Sequence, residues 1–96
     1  MLNSRIIAVG DVSVLGIKVD LPGAPVLMLV GEKGFIGCGY FKMETADKVG
    51  HALAVVSGVK SFEDMLAASV IAVSEQAAKL GVTVGMTGSD AVKLIA

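Results

Sequence analysis

Cys38, the only cysteine of the chain, stands between Gly37 and Gly39 in the run Gly34-Phe35-Ile36-Gly37-Cys38-Gly39-Tyr40. A thiol on such bare backbone suits a nucleophile or a thiolate ligand, provided a helix N-terminus, a metal or a cation stabilises the anion. Glycine weakens a strand and marks a bulge or the close approach of a ligand or another backbone. Three glycines within residues 34–39 therefore predict crowding there. The plainer alternative is a small buried hydrophobe, the usual state of unpaired cysteine, and the neighbouring Ile36 favours it. His51, the only histidine, offers the one Cys/His nucleophile–base pair that the sequence permits; otherwise it is a surface histidine without a partner. One cysteine and one histidine cannot close a tetrahedral metal set within one chain, so neither a metal nor a cofactor is expected.

A second candidate lies at two strand-to-helix junctions, Gly58-Val59-Lys60-Ser61 and Gly85-Met86-Thr87-Gly88-Ser89. Helix N-termini present free N–H groups and a positive partial charge, which suits carboxylate or phosphate. If the strands before them run parallel, both junctions fall at the carboxyl end of the sheet, where open α/β sheets bind ligands. Lys60, Ser61, Thr87, Gly88 and Ser89, with Gly39 beside the thiol, are thus the expected ligand-binding set for a small anion. Against this, serine at a helix start is ordinarily an N-cap, and neither junction is a Walker or Rossmann fingerprint.

These residues must be positioned by elements that the apolar patterning outlines. Residues 6–9, 12–21, 26–30 and 35–40 read as strands of a β-meander, with Ile17, Val19 and Leu21 alternating with Gly16, Lys18 and Asp20 and a Pro22-Gly23-Ala24-Pro25 turn. The period changes after Phe41. A short helix is expected over 44–52 despite Gly50, then a strand over 53–58. Ser61 and Asp64 have capping-box spacing and open a helical turn through Leu66. Residues 69–80 carry Val70, Val73, Ala77 and Leu80 on one stripe and Glu75/Lys79 on the other, which predicts a helix ended by Gly81. A strand over 82–86, parallel to 53–58 through a crossover, and a last helix from Gly88 or Ser89 through Ile95 complete the order. The fold class is α+β: an N-terminal antiparallel meander, then helices and two further strands in a mixed sheet, all in one domain, 1–41 as the β region and 42–96 as the α/β part.

Composition narrows the function. Of 96 residues, 54% are hydrophobic and only 18% charged, against a usual charged share of about a quarter. So few charges cannot cover a monomer of this size, and the excess apolar area is expected in a homo-oligomer interface drawn from the N-terminal strands. No run approaches the ~18 apolar residues of a membrane span, and Asp11 breaks the apolar stretch after Arg5 too early for a signal peptide. A cytoplasmic location follows as the expectation. Eight basic residues against nine acidic, with four aromatics, offer neither phosphate neutralisation nor stacking platforms, so nucleic acid is not an expected partner.

With the pattern complete, the chain resembles the YunC-like family, domain of unknown function 1805. The likeness is carried by Gly34-Phe35-Ile36-Gly37-Cys38-Gly39, Gly58-Val59-Lys60-Ser61-Phe62-Glu63-Asp64-Met65-Leu66 and Leu80-Gly81-Val82-Thr83-Val84-Gly85-Met86-Thr87-Gly88. Lys42 departs from the acidic residue that the resemblance leads one to expect after Cys-Gly. What the resemblance implies is a small bacterial or archaeal α+β protein, oligomerised through its N-terminal β region, as a tetramer, with no agreed activity. Two functions remain: a non-catalytic oligomer that binds a small ligand or a partner, and a thiol-dependent enzyme with Cys38 as nucleophile. Catalysis needs an acid/base partner and an oxyanion donor as well, so the binding module requires fewer assumptions.

Overall fold

The computed structural model describes residues 2–96. Six strands form one mixed sheet in the order β1-β2-β3-β4-β5-β6. β1 (Leu2–Val9), β2 (Val12–Asp20), β3 (Pro25–Val30) and β4 (Phe35–Gly37) make the antiparallel meander. The chain then crosses through helix α1 (Met43–Val49) to β5 (Leu53–Val55), which pairs parallel with β4. After α2 (Phe62–Ala67) the short β6 (Ala72–Val73) adds antiparallel to β5, followed by α3 (Glu75–Lys79) and α4 (Gly88–Ile95). The α+β class and the mixed sheet stand as expected. Among the described residues no helix is long and apolar enough to cross a membrane.

Two expectations about the second half are corrected. Residues 69–73 are extended, not helical: Ile71 N–H donates to Val55 O, and Val70 exchanges bonds with the 85–86 backbone. Val70, Ile71 and Val73 are β-branched and stiff at χ1, and pairing on both sides outweighs the apolar stripe of Val70, Val73, Ala77 and Leu80. The helix begins only after Ser74, whose side chain caps it by accepting from Ala77 N–H at 3.2 Å. Residues 82–86 in turn form no strand; a turn from Thr83 O to Met86 N–H and a lone bridge between Ser69 and Thr87 take its place. The parallel crossover is real, but it links β4 to β5 through α1.

The sheet has two unlike faces. On one, Ile7, Val14, Leu27, Leu29, Ile36, Ala54 and Val56 pack against Phe62 and Met65 of α2 and Ala91, Val92 and Ile95 of α4. Gly88, Ala91, Val92 and Ile95 recur at 0, 3, 4 and 7, the spacing of one apolar helix stripe. On the other face α1 covers only β4 and β5, where Ala46 meets Leu53 and Val55. Leu2 and Ile6 of β1, Leu15, Ile17 and Val19 of β2, and Val26, Met28 and Val30 of β3 share that second face by register and have no helix over them. Leu2 and Ile6 are each 68% exposed.

α2 is capped as its sequence predicts. Ser61 Oγ accepts from Asp64 N–H at 3.0 Å, while the Asp64 carboxylate accepts from Lys60 N–H, one residue outside the usual reciprocal partner. α4 starts at Thr87, whose Oγ1 accepts from Asp90 N–H at 3.2 Å.

Candidate functional site

The glycines around Cys38 make room for the chain itself. A side chain on Gly37 would overlap the Phe41 ring, and one on Gly34 would meet the Ala52 carbonyl. The Phe41 ring therefore lies against bare strand, and the crowding read from sequence needs no ligand. Cys38 extends the β3/β4 ladder by one step, its N–H donating to Leu27 O at 3.1 Å. Its sulfur faces the main core, 6% exposed, and accepts weakly from Leu27 N–H at 3.5 Å.

His51 lies on the opposite face. Its ring meets Phe35 edge-on at 6.0 Å, and Phe35 packs with the α1-side cluster, so the sheet separates thiol from imidazole. The two do not form a dyad. Among the described residues no group of three or more His, Cys, Asp or Glu comes together to hold a metal. Native Cys38 is expected to react with a small aromatic disulfide at least ~100-fold more slowly than the same thiol in denaturant, because attack requires an exposed thiolate. Native and denatured labelling at equal rates would reverse this assignment.

The junction residues are likewise distributed. Lys60 and Ser61 open α2, whereas Gly88 N–H donates to Ala68 O, beyond the other end of that helix. The six residues of α2 separate Ser61 from Ala68, seven steps or about 10 Å of rise. Thr87, Gly88 and Ser89 therefore do not converge with Lys60 and Ser61 on one ligand; without a strand over 82–86 their common sheet end does not exist. Gly88 is buried, and a side chain there would strike the Met65 carbonyl. Gly39 is exposed, with Ser57 its nearest neighbour. Beside Ser61 lies a small cleft of about 330 Å³ lined by Asn3, Arg5, Lys18 and Glu63 among others. Its charges are already paired: Arg5 bonds Glu63 at 2.6 Å, stacks its guanidinium over Phe62, and Lys18 pairs with Asp20. Glu63 is held below the usual carboxylate range, chiefly by a hydrogen bond from its own backbone and then by Arg5.

The site that geometry does define was not read from the sequence. A groove of about 870 Å³ opens between α1 and the uncovered sheet face. Its wall is Met28 and Val30 of β3, its floor Phe35, Phe41 and Leu53, and α1 supplies Thr45 and Ala46. Phe35 and Phe41 meet edge to face at 5.5 Å and 74°. Glu32, Lys33, Lys42, Tyr40 and His51 add its polar groups. The positions are held from behind: Gly31 N–H donates to Gly34 O at 2.8 Å, Lys33 N–H to Ile95 O at 2.9 Å, and buried Ser74 Oγ donates to His51 O at 2.8 Å while accepting from Leu53 N–H at 2.9 Å. One signal for it was present: β3 is apolar at every position from Val26 to Val30, so both of its faces need cover, yet only one receives it.

This combination of a four-strand meander, a β4–α1–β5 crossover and an open apolar groove defines a small α+β protein in which Cys38 and His51 stand on opposite faces of the sheet. The chain belongs to the family described as Domain of unknown function (DUF1805), which matches residues 37–95. It is similar over its whole length, at 36% identity and a TM-score of 0.94, to the crystal structure of a protein of unknown function from Thermoplasma acidophilum, 94% of whose chain is covered. No curated protein matches it.

Proposed function

We propose that the protein is a non-catalytic, homo-oligomeric module that binds a small ligand in the groove between α1 and β3–β4. The observation that supports this most is the groove itself, whose volume of about 870 Å³ lies in the range of small-molecule sites, which are concave and mostly apolar with a few polar groups. The alternative, a thiol-dependent enzyme, would need Cys38 to reach solvent and an acid/base partner, and its sulfur has neither in the core.

Assembly belongs to the same proposal. The uncovered face of β1–β3 presents Leu2, Ile6, Leu15, Ile17, Val19 and Met28, with no charged side chain in the same rows. A second copy is the occupant that suits it, since a two-fold axis places apolar rows on apolar rows and brings no like charges together. The family resemblance extends this to a tetramer.

Phenylnaphthylamine, an uncharged probe that fluoresces in apolar surroundings, is expected to bind the native protein saturably. Thr45→Trp, which fills the groove from α1, should abolish that binding while leaving assembly intact. Absence of saturable binding, or binding untouched by Thr45→Trp, would remove the groove as the ligand site.

A further inference from the structure

We infer that the groove selects a planar aromatic molecule bearing one negative charge, of the aromatic carboxylate class. This rests on the reading of the groove as the ligand site. The first ground is where the chain spends its rings. It has three phenylalanines, one tyrosine and one histidine; Phe35, Tyr40, Phe41 and His51 all line this groove, and only Phe62, buried in the main core, lies away from it. Phe41 and His51 both stand edge-on to Phe35, at 74° and 80°. Tilted rings present a ribbed apolar surface, and aromatic pairs favour such offset and edge-to-face contacts, so a flat ring seats among them more closely than a flexible chain does.

The second ground is charge. Lys33 and Lys42 line the groove against a single carboxylate, Glu32, which leaves the lining with an excess of positive charge. Neither lysine takes part in an ion pair among the described residues. A neutral ligand leaves that excess unmatched, and a cation opposes it; a monoanion completes it. Lys33 is pinned through its backbone to the end of α4 and Lys42 occupies the N-cap position of α1, so the two charges rise from separate elements that frame the groove.

The test compares two probes on one skeleton, anilinonaphthalene sulfonate and its uncharged parent phenylnaphthylamine, with the full-length chain. In the double variant Lys33→Glu/Lys42→Glu, both exposed positions, the sulfonate is expected to lose roughly tenfold or more in affinity, the combined effect of reversing two partly screened charges. Phenylnaphthylamine should lose clearly less than the sulfonate, and an unaltered circular dichroism spectrum shows that the variant is folded. With the wild-type protein, naphthoate should displace the sulfonate probe at lower concentration than either naphthalene methanol or octanoate. Equal losses for both probes, no loss for the sulfonate, or octanoate displacing as well as naphthoate would each overturn the ligand class while the groove still bound phenylnaphthylamine. Failure of both probes to bind would instead take away the groove and the class together.

Discussion

Ile17→Glu is expected to sediment as a monomer at micromolar concentration, where the proposed interface is expected to hold the unaltered chain in an assembly. Ile17 lies in the middle of the uncovered face, between Ser4 of β1 and Met28 of β3. A carboxylate there points away from the main core, so the monomer keeps its fold and its circular dichroism. In a face-to-face interface the same carboxylate is desolvated against apolar rows without a partner, a cost of several kcal/mol, which weakens association by at least ~100-fold. Val14 separates the two effects. It is 3% exposed on the opposite face, and Val14→Glu is expected to unfold the chain instead of dissociating it. Charge changes at Glu75 or Lys79, both exposed on α3, should leave the sedimentation unaltered. An unaltered chain that stays monomeric, or an Ile17→Glu assembly of undiminished size, would refute the interface.

Gly88→Ala is expected to cost about 3 kcal/mol, at the upper end of the usual cost of overpacking a close contact. The added methyl would overlap the Met65 carbonyl and crowd the Leu66 backbone. Because the obstacle is main chain, no rotamer relieves it; α4 must move off α2 or the end of α2 must unwind. For a domain of this size the loss corresponds to a fall in Tm of roughly 12–24 °C, measured at one fixed protein concentration because self-association makes Tm concentration-dependent. Ser89→Ala, one residue on, should stay within about 0.5 kcal/mol. A Gly88→Ala chain that melts like the parent would mean that α4 does not pack on α2 as closely as the structure shows. The residue that looked like part of an anion site is thus explained by helix packing.

The meander was legible because its signals are local. Alternation at Ile17, Val19 and Leu21, the Pro22-Gly23-Ala24-Pro25 turn and the Gly31–Gly34 hairpin each act within a few residues, as do the Ser61 cap of α2 and the apolar stripe of α4. Of the helix expected over 69–80, the part at Glu75–Lys79 was legible and residues 69–73 were not. Val70, Val73 and Ala77 fit a helical stripe, and only the unpaired edge of β5 and the 85–86 backbone, distant in sequence, offer the bonds that draw residues 69–73 into extended form. The same limit applies to Cys38: its flanking glycines announced a close approach, but that the approaching groups are the Phe41 ring and the Ala52 carbonyl depends on folding.

The sequence by itself determined the class of the protein, α+β with an N-terminal meander, and its deficit of charge, because composition and short-range periodicity are properties of the chain alone. Tertiary structure decided which residues share a face. A strand sends neighbouring side chains to opposite sides, so Cys38 went to the core while Phe35 turned to meet His51, and a single helix, α1, covering two strands out of six left both the groove and the bare face of β1–β3. Neither cavity nor uncovered face exists in any one segment; each arises where α1, the β3–β4 turn and the sheet come together.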